Sequence, residues 1–249
     1  MLILGIDIGS RSIEIVGLDK GELQLKKQLP TTFDPLAQLR KGLKDLAFAG
    51  VVATGYGRGL VDRLDLKVPV KKITEIKAYA KGVSALFPQA RSILDIGGQD
   101  TKALLLNEQG GLLKFEMNDR CAAGTGKFLE QMANIFQIGI EEFGPYALKG
   151  DRVPVINSMC TVFAETEATS LMAQGEKPEN IALALHHAIV KRCVNMLKRV
   201  GATPPLIFAG GVAHNPCVAQ LLSENLGFSP IIPQDPDFIG AIGAALSFS

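Results

Sequence analysis

Residues 3–9 (ILGIDIG) and 92–98 (SILDIGG) are two versions of one pattern, an apolar run that carries a single Asp and closes on Gly. In the first copy a strand at 13–18 follows, then a Lys20-Gly21 turn and a more exposed strand at 22–28. In the second copy the same order returns as 102–106, a Gly110-Gly111 turn and 112–117. A strand–Asp–turn–strand–turn–strand unit that occurs twice constrains the fold more than any local propensity, because each copy must bury its own apolar strands. The expectation is an α/β protein of two lobes, 1–90 and 91–249, which fits the length of 249 residues without a flexible linker.

The rest of the chain alternates helices with strands. Asp34-Pro35 opens a helix to about 46, with Leu36, Leu39, Leu43 and Leu46 on one face. Further helices are expected at 74–87, 126–137, from Thr161, at 179–200, 216–226 and 238–247, and further strands at 50–54, 205–209 and 229–232. Hydrophobic residues make up 47%, enough for a sizeable core, and the net charge of +1 argues against a protein that coats nucleic acid or an acidic membrane. No apolar run approaches the roughly 20 residues that span a bilayer, and the start, MLILGIDIGS, reads as a strand rather than a leader. Four cysteines are too few for a disulfide framework in a chain this long. A reduced, cytoplasmic setting is expected.

The two Asp-bearing hairpins point to a split nucleotide site. Glycine at the bend lets backbone N–H groups approach phosphate oxygens. Gly9 with Ser10, Arg11 and Ser12 forms one such bend, and Gly97 with Gly98 and Gln99 the other. Asp7 and Asp95 are placed to hold Mg²⁺ through water, since Mg²⁺ keeps several of its waters. Gln99 is the candidate to orient an attacking water. Arg11, between two serines, is either a phosphate contact or an exposed side chain. Gly210-Gly211 after a strand is the third glycine element, and neither a P-loop nor a dinucleotide fingerprint is present.

LGIDIGS, LDIGGQDTK and FAGGVAHN resemble the first phosphate, second phosphate and adenosine motifs of the actin/hexokinase/acetate-kinase superfamily. The resemblance implies a duplicated ribonuclease-H-like two-lobed fold with ATP in the interlobe cleft. It also implies nucleotide contacts from Gly210, Gly211, Val212 and Asn215, and hydrolysis coupled to closure.

Cys121 and Cys160 each stand just before an expected helix, where the positive end of the helix suits a thiolate or an anionic metal–thiolate cluster. On residues alone, two readings stay open: ordinary buried cysteines, or two of the four thiolates a cubane cluster needs, the others coming from a second copy. Cys193 lies on the apolar stripe of the long helix and Cys217 at a helix start, and both read as packing.

MNDRCAAGTGKFLE and CTVFAETE, with TGYGR and DIGGQD, are similar to the activator ATPases of 2-hydroxyacyl-CoA dehydratases, the BadF/BadG/BcrA/BcrD type, over essentially the whole chain. That resemblance implies a homodimer with one 4Fe–4S cluster, ligated by Cys121 and Cys160 of each chain, and Gly124 and Gly126 beside the nucleotide phosphates. It implies an ATP-dependent reductive activator that passes one low-potential electron to a partner iron–sulfur enzyme, such as a dehydratase or a related double-cubane protein. The expected donor is a ferredoxin or flavodoxin, and the expected host is anaerobic. Lowering a one-electron potential by about 300 mV costs about 7 kcal/mol, within reach of one or two ATP. The family pattern departs at His214 and Arg11. The competing reading is a sugar-type small-molecule kinase of the same superfamily, with Asp100 or Asp119 as base.

Overall fold

The computed structural model describes residues 1–156 and 160–248. Residues sort into two compact units. The first holds Met1–Arg91 together with Leu106–Leu113 and the C-terminal segment from Asp237; the second holds Ser92–Leu105 and Lys114–Pro236.

The first unit is built on a five-stranded sheet in the order β3-β2-β1-β4-β5. Its strands are β1 (Leu2–Ile8), β2 (Ser12–Asp19), β3 (Glu22–Pro30), β4 (Phe48–Thr54) and β5 (Val70–Lys72). β1 pairs antiparallel with β2 and parallel with β4. Ile6, Ile8, Ile13, Ile15 and Val51 form one buried cluster with α1 (Pro35–Leu43). Asp34 caps α1 by accepting from the Ala37 N–H, and Pro35 occupies its first turn. α1 ends at Leu43, earlier than the leucine spacing predicts, and Asp45 just after it has a φ of 63°. α2 (Glu75–Leu86) begins on Thr74, whose hydroxyl accepts from the Lys77 N–H.

The last helix departs from expectation. α8 (Ile239–Ala245), assigned on sequence to the second lobe, packs in the first unit against β1 and α2. The reason is steric. A Cβ on Gly5 would stand 1.9 Å from the Ala241 carbonyl oxygen, and one on Gly243 1.8 Å from that of Ala78. Only glycines allow this backbone-to-backbone approach.

The second unit repeats the theme with a four-stranded sheet, β8-β7-β6-β9. Its strands are β6 (Ser92–Ile96), β7 (Thr101–Leu106), β8 (Leu112–Asn118) and β9 (Leu206–Ala209). Again the central Asp-bearing strand pairs antiparallel with its successor and parallel with a later strand. The core is helical on one side: α3 (Gly126–Ile135), α4 (Ile140–Ala147), α5 (Thr161–Ala173), α6 (Pro178–Val200) and α7 (Pro216–Leu226) enclose Phe128, Phe143, Leu185 and Phe208. α4 was not expected, because Pro145 inside it breaks the apolar pattern. The expected strand at 229–232 reduces to one bridge, Ile207 to Ile231. Pro230 and Pro233 on either side have no N–H to extend the ladder. No helix among the described residues is long and apolar enough to cross a membrane.

Candidate functional site

The two predicted phosphate bends fold alike. In the first, Gly9 N–H donates to the Ser12 carbonyl at 3.0 Å; in the second, Gly97 N–H donates to the Asp100 carbonyl at 2.9 Å. Thr31 holds the first bend from outside: its hydroxyl donates to Gly9 O at 2.9 Å and its N–H to Arg11 O at 2.8 Å. Arg11 and Gln99 are exposed at the tips, and Ser10 is half-buried.

Behind each bend the two copies share one geometry, an Asp pressed against a left-handed glycine. Gly55 ends β4 with a φ of +88°, and a Cβ there would lie 2.5 Å from Asp7 Oδ1. Gly210 ends β9 with a φ of +82°, and a Cβ there would lie 2.4 Å from Asp95 Oδ1. TGYGR and AGGVA are thus the same structural element in the two units. Both strings carried a motif in the sequence, but their equivalence was not visible there.

The charges around the two Asp side chains differ. Asp95 pairs across the ladder with Lys102, whose Nζ donates to Asp95 Oδ2 at 2.9 Å and lies 2.8 Å from Asp100 Oδ1. Asp7 pairs with Glu14 instead. Burial pushes the Glu14 carboxyl up to about 7, against hydrogen bonds from Ser12 and Gln28 that favour the carboxylate. The Ser12 hydroxyl, expected at a phosphate, is therefore engaged with Glu14.

Cys121 and Cys160 are exposed, whereas Cys193 and Cys217 are buried, and burial pushes both of the latter thiols up to about 12. Packing is thus the role of Cys193 and Cys217 only. Cys160 is the N-cap of α5, one residue earlier than Thr161, and no side chain caps that helix end. The stretch 157–159 before it lies outside the described residues. Val162 and Phe163 in the first turn of α5 are exposed, so the cysteine stands in an apolar setting. Among the described residues no group of three or more His, Cys, Asp or Glu side chains is placed to hold a metal ion.

Cys121 connects to the second phosphate bend through the start of α3. Gly126 N–H donates to Gly97 O and Lys127 N–H to Gly98 O, both at 2.8 Å. The first donors of α3 thus face the bend's carbonyls. Gly124 is buried, and its carbonyl accepts from the Thr101 hydroxyl at 2.5 Å. Gly124 and Gly126, expected beside phosphates, serve here to join the cysteine loop to the bend. Lys127 is exposed and pairs with Glu130 at 3.2 Å.

Two residues of the third glycine element are also committed. Val212 is buried in the core of the second unit. Asn215 caps α7 by accepting from the Val218 N–H at 3.1 Å, and its Nδ2 lies 3.0 Å from His186 Nε2. Asn215 donates, so His186 carries its proton on Nδ1, 2.7 Å from the Ala182 carbonyl. Burial lowers His186 to about 4, which keeps it neutral. Gly210 and Gly211 remain as backbone candidates, with Gly211 exposed. Lys102 is the residue at the second bend that sequence reasoning passed over; its cross-repeat position was the available signal.

Comparison with known proteins places this geometry. Residues 4–247 match the BadF/BadG/BcrA/BcrD ATPase family. The chain belongs to this family. Among relatives of this ATPase family, the 2-hydroxyisocaproyl-CoA dehydratase activator of Clostridioides difficile is 37% identical, over 99% of this chain and 94% of its own length. Its structure with bound ADPNP superposes with a TM-score of 0.89, covering 99% of this chain and 93% of that one. The (R)-2-hydroxyglutaryl-CoA dehydratase activating ATPase of Acidaminococcus fermentans is 34% identical, over 98% of this chain and 95% of its own length. A ROK family glucokinase from Streptomyces griseus, at 13% identity and a TM-score of 0.61 over 98% of each chain, shares the fold alone. The expected α/β fold of two duplicated lobes is the fold of this family.

Proposed function

We propose that this ATPase-family protein is a reductive activator, coupling ATP hydrolysis to one-electron transfer toward a partner iron–sulfur enzyme such as a 2-hydroxyacyl-CoA dehydratase. The activator relatives, at 37% and 34% identity, support the activator part. The observation that carries the coupling is the pair of backbone hydrogen bonds from Gly126 and Lys127 to Gly97 and Gly98. A change in the bend when phosphate binds or leaves is transmitted to the start of α3, five residues from Cys121.

The bends at Gly9–Ser12 and Gly97–Gln99 present backbone N–H groups for phosphate oxygens, with Ser10 and Arg11 at the tip of the first. Gln99, exposed at its tip, orients the attacking water. Asp7 and Asp95, one behind each bend, are the carboxylates that would hold a hydrated Mg²⁺ through its waters. Gly210 and Gly211 offer backbone to the adenosine.

Cys121 and Cys160, the two exposed thiols, are the residues that would hold a 4Fe–4S cluster, and the uncapped N–H donors of α5 suit its anionic sulfurs. The cluster supplies a one-electron redox centre when bound. Two thiols per chain require a homodimer to complete four ligands. The donor class that goes with this reading is a ferredoxin or flavodoxin, as the family resemblance implies.

The test is anaerobic purification followed by iron and acid-labile sulfide analysis and EPR after dithionite reduction, with Cys121→Ala and Cys160→Ala alongside. About two Fe per chain, lost in either variant, is the expected result. No iron after reconstitution, with ATPase activity intact, overturns the reading.

A further inference from the structure

We propose that Asn118 and Arg192 are positioning residues that set how the Cys121 loop presents its thiol. Asn118 closes β8, three residues before Cys121. Its Nδ2 donates to the carbonyls of Cys121 at 3.0 Å and Ala123 at 2.9 Å. Its Oδ1 accepts from Arg192 Nη2 at 3.2 Å. Every one of these contacts requires the same orientation of the amide. The guanidinium polarises that amide and strengthens the two bonds it donates.

Arg192 comes from the long helix α6, where its neighbour Cys193 is fully buried in the core. Its stem runs across Gly124: a Cβ there would stand 2.7 Å from Arg192 Cδ, and the φ of +87° favours glycine as well. The same Gly124 carbonyl is held by Thr101 on β7. The carbonyls of Cys121 and Ala123 are therefore held by Asn118, that of Gly124 by the strand that follows the second phosphate bend, and that of Ala122 by Thr125. Fixing the carbonyls on both sides of Ala122 fixes the peptide planes there and with them the direction of the Cys121 side chain. Loss of the guanidinium frees the amide to rotate, and the loop keeps the Thr101 bond to the Gly124 carbonyl and the Thr125 bonds to the Ala122 carbonyl. A cavity of about 10 Å³, bounded by Gly124, Phe128 and Arg192, leaves room for a substituted side chain to settle without overpacking.

What this brace does for a bound cluster rests on the function proposed above; what it does for the metal-free loop does not. The experiment therefore has two arms, each on wild type, Arg192→Met, Arg192→Lys and Asn118→Ala. In the first arm, native-state hydrogen exchange of the metal-free chain is read at amides 122–125, with the amides of α6 as reference. Arg192→Met and Asn118→Ala are expected to exchange at least about tenfold faster at 122–125 and unchanged in α6, with Arg192→Lys near wild type. In the second arm, EPR-monitored redox titration of the reconstituted dimer is expected to show Arg192→Met about tenfold harder to reduce, about 59 mV lower for one electron. Arg192→Lys recovers most of that shift because it keeps the cation and a donor. Wild-type exchange at 122–125 in both Arg192→Met and Asn118→Ala overturns the proposal, and so does a rise spread evenly over α6. A wild-type protein that takes up no iron sinks the activator reading, while the exchange arm still decides the brace.

Discussion

Lys102 Nζ donates to Asp95 Oδ2 at 2.9 Å with both side chains buried, and the matching cross-strand position in the first repeat is Glu14, facing Asp7. Across the ladder one duplicated hairpin thus sets an aspartate opposite a lysine and the other sets an aspartate opposite a glutamate. The two phosphate bends are alike in backbone and unlike in charge, so the repeat does not distribute its chemistry evenly.

Removal of the Lys102 ammonium takes the cation away from the buried Asp95 and from the half-buried Asp100. Lys102→Met is expected to cost about 3–5 kcal/mol in urea unfolding, the usual result of deleting one partner of a buried pair. The double variant Lys102→Met with Asp95→Asn is expected to recover part of that loss. Equal stability of Lys102→Met and wild type refutes the pair.

Glu14 gives a pH signature. Its folded value is raised to about 7 from 4.5, so the native state binds more protons than the unfolded chain between those values. Stability from this group is full below about 4.5 and is lost as pH rises through about 7. Glu14→Gln mimics the protonated acid. It is expected to match wild type near pH 4.5 and to exceed it by about 3 kcal/mol at pH 8.5. Parallel urea curves at the two pH values check this, and a constant difference between them would show that Glu14 does not titrate in that window.

Gly55→Ala and Gly210→Ala each force a Cβ onto an aspartate oxygen at a left-handed backbone position. Each is expected to cost about 1–3 kcal/mol and to abolish ATP hydrolysis by displacing Asp7 or Asp95. Gly201→Ala is the control, with a φ of +76° and open space around its Cβ. It is expected to lose about 1–2 kcal/mol and keep hydrolysis. Full activity in Gly55→Ala would separate TGYGR from the nucleotide site.

Thiol accessibility divides the cysteines. In the metal-free native chain, iodoacetamide is expected to modify Cys121 and Cys160 rapidly and to leave Cys193 and Cys217 intact until the chain is unfolded. Peptide mass spectrometry of native and urea-treated samples reads the difference. Early modification of Cys193 would contradict its place in the core.

Much of the fold was legible because it is local. The apolar runs around Asp7 and Asp95, the Asp34-Pro35 and Asn215-Pro216 helix starts, and the 178–200 helix are written in residues a few positions apart. The elements that escaped have weak or interrupted local signals. β5 is three exposed residues, α4 contains a proline, and the 229–232 segment contains Pro230 and is followed by Pro233. At the site, the residue types were legible and their commitments were not. Ser12 turned toward Glu14, Gly126 toward Gly97, and Asn215 toward His186.

By itself the sequence determined that the chain is duplicated, that each copy offers an aspartate and a glycine bend, and that two cysteines stand before helices. Periodicity, turn chemistry and capping depend on near neighbours, and those are present in any stretch of ten residues. Only the tertiary structure decided that α8 completes the first unit, that Lys102 stands opposite Asp95 while Glu14 faces Asp7, and that Asn118 and Arg192 brace the Cys121 loop. Those facts depend on strand register and on helices brought together across long stretches of chain. A side chain's protonation, and the atom its hydrogen bond is given to, are set by what packs around it after folding.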